Sequence, residues 1–294
     1  MEVLAEHYSQ READQLMRIL LEDLFGIDQK RQLMDPEMRI DEVGYSVLKE
    51  AVKQLIEGVP VQYVTRKAWF DGLLFYVDKS VLIPRPETEG LVQMVADELA
   101  SKLATERFPS DRPLRIWDIG TGSGCIAIAL AKRLPQAEVI AFDVSEKALV
   151  TAKMNVILNE VKVGLVCDDV LHPQSEVWQQ PIDIVVSNPP YIRESERAFM
   201  ESNVLDHEPH TALFVPDEDP LLFYRQILSL AKPQLTPEGS VWFEINEALG
   251  EEMIHFGQDM GFTGKVYEDY NGKQRFARFS LSANFLGDKS LVGH

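Results

Sequence analysis

Asn188-Pro189-Pro190-Tyr191 follows an apolar run, Ile182 to Val186, that reads as a buried strand. Neither proline has an N–H to donate, so no sheet ladder continues through the pair and the carbonyls of Asn188 and Pro189 stay open to a ligand. This suits recognition of an amino group on a flat π-system. The Asn188 carboxamide and the neighbouring carbonyl can accept both hydrogens of an –NH2, while the Tyr191 ring stacks on the plane that carries it. Taken alone, the four residues also fit a plain proline-rich exit turn.

Upstream, residues 114–124 read LRIWDIGTGSG: an apolar strand, an acid at Asp118, then Gly120-Thr121-Gly122-Ser123-Gly124 opening a helix expected over 125–134. Glycines there allow a tight turn and close approach of a ligand to the backbone. Dinucleotide, phosphate and S-adenosylmethionine sites share such a turn. The spacing departs from G-x-G-x-x-G, and no G-K-[ST] follows for a nucleoside triphosphate. A second strand, 138–142, ends in Asp143, about where a carboxylate taking both ribose hydroxyls belongs. The same residue could instead cap the helix from Ser145 onward.

These residues need elements to hold them. Strands and helices alternate from Leu114, which predicts an α/β fold with a parallel sheet covered on both faces. Further strands are expected near 163–167, 182–187, 240–245, 265–270 and 275–281, the last two as an antiparallel hairpin at Asn271-Gly272. That makes a seven-stranded, mostly parallel sheet. Ligand sites in such sheets lie beyond the carboxyl ends of the strands, and Gly120 to Gly124, Asp143, Asp169 and Asn188 all fall there.

Ahead of the sheet, Ala13, Leu16, Met17, Leu20 and Leu24 recur at helical spacing, with Gly26 as a stop. Val43, Val47, Leu48, Ala51, Leu55 and Ile56 repeat the pattern over 41–58. Residues 1–66 are thus expected to form a small helical domain. Residues 67–84 connect as a β-hairpin, with strands spanning 67–83 and a turn at Asp71-Gly72. A helix from about Pro86 to Ala104 starts with proline and acids, as helix N-termini prefer, and opens a third region, 85–294. Residues 105–113, TERFPSDRP, read as a surface connection.

At 294 residues and 45% hydrophobic content the chain should be globular. Cys125 and Cys167 form neither C-x-x-C nor a secreted framework, and no N-terminal stretch reads as a signal peptide or membrane span, so a cytoplasmic location is expected. Cys125 reads as a packing residue at a helix start. The net charge of -18 argues against neutralising nucleic-acid phosphates and for a partner with a basic surface. His207-Glu208-Pro209-His210 superficially resembles metal-ligand spacing, but proline between the histidines argues against the helix that H-E-x-x-H needs, and no metal is expected.

The chain resembles a known family. The segments PVQYV (60–64), VLIPRPETEGLV (81–92), DIGTGSGCIAIALA (118–131), IVVSNPPYI (184–192), EPHTAL (208–213) and DYNGKQR (269–275) are similar to those of the PrmC/HemK family of release factor glutamine methyltransferases. IPRPET together with NPPY separates this family from other NPPY enzymes. Asp219-Pro220-Leu221 departs from it, many relatives having a glycine there.

The resemblance implies a Rossmann-like methyltransferase sheet and S-adenosylmethionine as cofactor. Gly120 and Gly122, within the Gly120, Thr121, Gly122, Ser123, Gly124 turn, would touch its methionine portion, with Asp118 contacting it or orienting the loop. Asp143 would take the ribose hydroxyls, and Asp169 with Val170 would flank the adenine, adjacent Asp168 leaving that register open by one residue. Asn188 and Pro189 would hold the acceptor amide, beside Pro190, with Tyr191 over the substrate or shielding the cofactor. Arg85 would contact substrate backbone or pair with an acidic loop; Glu208 would shape the substrate mouth or cap a turn.

The implied reaction is N5-methylation of the glutamine in the Gly-Gly-Gln motif of class 1 peptide chain release factors, by a monomer whose helical region docks the partner. An N6-adenine or N2-guanine nucleic-acid methyltransferase and a non-catalytic module binding translation factors are the alternatives.

Overall fold

The computed structural model describes residues 2–35, 38–105 and 112–283. Most of the expected surface connection, 106–111, and the last eleven residues of the expected third region, 284–294, lie outside the described residues.

In the N-terminal region the helix Gln10–Phe25 starts at Ser9, whose side chain accepts from Glu12 N–H, and ends at Gly26 with φ 65°. The helix Glu42–Ile56 is capped by Asp41. Ala13, Leu20, Ala51 and Leu55 form the centre of a small core, with Leu16, Met17, Leu24, Leu48 and Ile56 packed against it. Val43 and Val47 do not join them: they are 73% and 45% exposed. Two stripes compete on this helix, and the 44–48–51–55 stripe wins because Gly44, lacking a side chain, lets the helix approach Phe25.

The connecting hairpin pairs β1 (Lys67–Phe70) with β2 (Leu73–Tyr76), antiparallel. Asp71 and Gly72 both have positive φ, as a type I′ turn requires. The strands end sooner than the expected 83. Asp78 takes the Ser80 N–H at 2.9 Å, its own carbonyl takes the Val81 N–H, and Pro84 follows. Residues 77–85 are therefore a loop, although Val77, Val81 and Ile83 are buried.

The main sheet contains β3 (Arg115–Ile119), β4 (Glu138–Asp143), β5 (Gly164–Cys167) and β6 (Ile182–Ser187). A small parallel pair, β7 (Ile192–Arg193) with β8 (Phe214–Val215), lies outside it and was not expected. The sheet is completed by β9 (Leu235–Glu244), β10 (Phe262–Glu268) and β11 (Gln274–Leu281). The order is β10-β11-β9-β6-β3-β4-β5, with β11 running against the other six strands. All six residues of β6 are buried, which fits its mostly apolar sequence in a sheet covered twice, the buried Asp183 being paired with Arg112.

Helices Pro86–Ala104, Cys125–Arg133 and Glu146–Leu158 contribute to the core on one face. Leu222–Gln234 and Gly250–Asp259 contribute to the core on the other. From β3 the chain runs outward through β4 to β5, then returns to the far side of β3 as β6. The direction reverses between β3 and β6, and a crevice forms beyond the carboxyl ends of strands at such a point.

Candidate active site

A cavity of about 410 Å³ opens at that reversal. Its wall includes Gly120, Thr121, Gly122 and Ser123 after β3, Asp143 at the end of β4, Asp169 and Val170 after β5, and Asn188, Pro189 and Pro190 after β6. Four turns separated in sequence thus meet at one sheet edge. Arg85 and Thr88 also line it.

The three turn glycines differ in what they do. A Cβ built on Gly120 or Gly122 meets nothing within 4 Å, so their backbone borders open space, and both have positive φ. At Gly124 a Cβ would come 3.0 Å from Ile128 and 3.3 Å from Ala152, so this glycine serves helix packing; it does not line the cavity. Asp118 is also behind the wall. It is fully buried, accepts from the Thr121 hydroxyl at 2.6 Å and from Ala127 N–H at 3.1 Å, and its Oδ1 has no partner among the described residues. Burial pushes its carboxyl up to about 7. Of the two roles expected for it, orienting the loop is the one this geometry fits.

Asp143 braces the loop from the cavity side, accepting Gly122 N–H at 2.9 Å on one oxygen and Ser145 N–H at 2.9 Å on the other. Burial raises its carboxyl above the ordinary value, against the pull of those N–H groups. The cap of the following helix is Ser145, not Asp143. Each carboxylate oxygen of Asp143 retains a lone pair for a further donor.

The choice between Asp168 and Asp169 rests on hydrogen bonds. Asp168 accepts from the N–H groups of Asp169, Gln174 and Ser175 and from the Trp178 indole at 2.7 Å. Burial alone would raise it, but Ser175, Trp178 and Gln174 outweigh that and hold it below the ordinary carboxylate value. Asp169 holds only Leu171 N–H and the exposed His172 ring, so it has the more accessible carboxylate.

On the acceptor side, the carbonyls of Asn188 and Pro189 receive no donor among the described residues. The Asn188 NH2 donates to Thr88 Oγ1 at 3.3 Å, which leaves its oxygen without a partner among the described residues.

Comparison with known proteins places this arrangement. A family model described as PrmC N-terminal domain matches residues 2–65, and one described as Methyltransferase small domain matches 95–207. A release factor glutamine methyltransferase from Flavobacterium psychrophilum is 40% identical over 95% of this chain and 96% of its own length. The chain belongs to the release factor glutamine methyltransferase family. The Bacteroides thetaiotaomicron member is 40% identical over 96% of each chain. The hMettl16 catalytic domain, solved with the MAT2A 3′UTR hairpin 6, shares the fold at 19% identity and TM-score 0.53, covering 72% of this chain and 76% of that one.

Of the remaining expected residues in this family member, Arg85 lines the cavity, whereas Glu208 and Tyr191 do not. Arg85 lines the wall, but its guanidinium pairs with Glu208 at 2.7 Å, and Glu208, 4% exposed, also accepts Ile83 N–H at 3.4 Å. The two expected substrate contacts thus bind each other, clamping residues 83–85 to the loop after the Ser202–His207 helix. Glu208 does not line the cavity, and neither does Tyr191. The Tyr191 ring lines a neighbouring recess with Arg275, and its hydroxyl donates to Glu244 at 3.2 Å. His210 bonds the Leu205 carbonyl.

Three supporting residues escaped the sequence reading. Asn155, fully buried, takes Tyr76 N–H at 2.7 Å and donates to the Tyr76 and Ser123 carbonyls, tying β2 to the glycine turn. Tyr63 donates to Val81 O at 2.6 Å and so joins the N-terminal region to the cavity wall. Thr88 donates to Glu244 at 2.6 Å. The IPRPET match pointed at Thr88 without giving its role; nothing in sequence pairs it with Glu244.

Proposed function

We propose that the protein transfers a methyl group from S-adenosylmethionine to the side-chain nitrogen of a glutamine, in the Gly-Gly-Gln motif of class 1 peptide chain release factors. The observation that carries this reading is the open Asn188 oxygen beside the open Pro189 carbonyl, on the wall shared with the glycine turn, Asp143 and Asp169.

The residues fit that cofactor. Gly120 and Gly122 border space a side chain would fill; Asp143 has lone pairs for two ribose hydroxyls; Asp169 can accept the adenine amine while Val170 packs against the ring. When bound, S-adenosylmethionine supplies an electrophilic methyl on a sulfonium.

An amide nitrogen is a weak nucleophile because its lone pair is delocalised into the carbonyl. Asn188 Oδ1 and the Pro189 carbonyl would accept its two hydrogens, fix its plane and favour the positive charge that develops as the N–CH3 bond forms and the C–S bond breaks. One N–H proton then leaves to solvent. In-line placement supplies much of the acceleration, so no strong base is required.

Residues 1–66 dock the protein substrate, 67–84 connect, and 85–294 carry the transfer. The net charge of -18 suits a basic protein surface better than free nucleic acid. The proposed enzyme is cytoplasmic and monomeric and acts on a translation factor. Among the described residues no helix is long and apolar enough to cross a membrane.

The test offers labelled S-adenosylmethionine with release factor, free RNA and DNA as competing acceptors. Label is expected in release factor alone. Robust labelling of nucleic acid with release factor untouched would move the protein to the base-modifying NPPY enzymes.

A further inference from the structure

Glu244 ends β9 behind the NPPY turn and is 2% exposed. Two hydroxyls hold it: Thr88 donates to one carboxylate oxygen at 2.6 Å and Tyr191 to the other at 3.2 Å. Thr88, 2% exposed in the first turn of the Pro86–Ala104 helix, in turn receives the Asn188 NH2 at 3.3 Å. Burial raises the Glu244 carboxyl, an effect that the two hydroxyls and Arg275 oppose.

A threonine hydroxyl carries one hydrogen. With that hydrogen committed to Glu244, Thr88 presents only lone pairs to Asn188. The NH2 end of the carboxamide can meet them; the oxygen end would face another acceptor. The relay therefore has a direction, and it ends with the Asn188 oxygen turned to the cavity. The same carboxylate fixes Tyr191, so both ends of the NPPY turn answer to one buried group.

We infer that Thr88 and Glu244 are positioning residues that set the orientation of the Asn188 carboxamide, making this wall a receptor for an amine and not for a carbonyl or carboxylate. This rests on the proposed role of Asn188 as acceptor and extends it to residues 100 and 156 positions apart along the relay. Removing Thr88's oxygen, or the acceptor that takes its hydrogen, frees the carboxamide to turn.

The experiment has two readouts on the full chain. The first is hydrogen exchange of the Asn188 side-chain amide by 15N NMR, with Asn188→Ala identifying its signals. The second is single-turnover transfer to release factor, with cofactor affinity by calorimetry. Thr88→Val and Glu244→Met are expected to speed that exchange and slow transfer by about 10- to 100-fold, the size of one or two buried hydrogen bonds, with cofactor affinity unchanged within about threefold. Thr88→Ser, which keeps the hydroxyl, is expected to restore both.

Either readout staying at its wild-type value in Thr88→Val overturns the inference. If Glu244→Met does not fold, the Thr88 pair decides. If the wild type methylates no glutamine, the proposed reaction falls, and amide exchange alone decides the relay.

Discussion

The cofactor side and the acceptor side of the cavity are held by different kinds of bond. Around the glycine turn, carboxylates accept mostly backbone N–H groups, Gly122 and Ser145 on Asp143 and Ala127 on Asp118, with the Thr121 hydroxyl on Asp118 as the side-chain exception. Around NPPY, side chains bond side chains: Asn188 to Thr88, Thr88 and Tyr191 to Glu244, Arg85 to Glu208. A backbone donor survives any substitution of its own residue except by proline, whereas a side-chain link vanishes with either partner. Binding and transfer should therefore fail separately.

The sharpest test of that separation is Asn188→Ala. Transfer is expected to fall by about 10²–10³-fold or more, as when one preorganised polar group is removed from a charge-developing centre. Calorimetry should find cofactor affinity within about threefold of wild type. A parallel loss of affinity and rate would break the division between the sides.

Asp143→Ala should do the reverse. Charge-assisted hydrogen bonds contribute about 1.5–3 kcal/mol each, so cofactor binding should weaken by about 3 kcal/mol, more than a hundredfold. At saturating cofactor the single-turnover rate should stay close to that of the wild type.

The smallest effect concerns stability. Burial lifts Asp118 from 3.8 to about 7, so the folded chain holds a proton that the unfolded chain has released. The stability from this group is fully present below pH 3.8 and is lost as pH rises through about 7. Denaturant unfolding of the cofactor-free protein should show a loss of about 2 kcal/mol between about pH 5 and about pH 7. Asp118→Asn should flatten that slope; an unchanged slope would mean another group carries it.

The same contrast explains what could be read from sequence. The glycine turn, Asp143 and Asn188 were legible because each ends a strand, and strand ends meet at one edge whatever the side chains do. Asp118 and the Asp168/Asp169 register were only half legible, since neighbouring acids have equal chemistry until their N–H partners are known. Tyr191 was expected over the substrate or shielding the cofactor, and the bond from its hydroxyl to Glu244 was not legible beside either role. The Thr88–Glu244 link spans 156 residues between a helix start and a strand end, and no local pattern encodes such a distance. Val43 and Val47 went astray because two apolar stripes overlap on one helix, and only contact with Phe25 selects between them.

This cavity is expected to methylate an amide nitrogen presented on a protein. Mass spectrometry of digested release factor, after reaction with the enzyme and S-adenosylmethionine, tests it most directly. A single added methyl is expected on the side chain of the Gly-Gly-Gln glutamine, and none when that residue is replaced by glutamate, which offers a carboxylate where Asn188 and Pro189 need a donor. A methyl on another residue, or undiminished labelling of the glutamate variant, would contradict it.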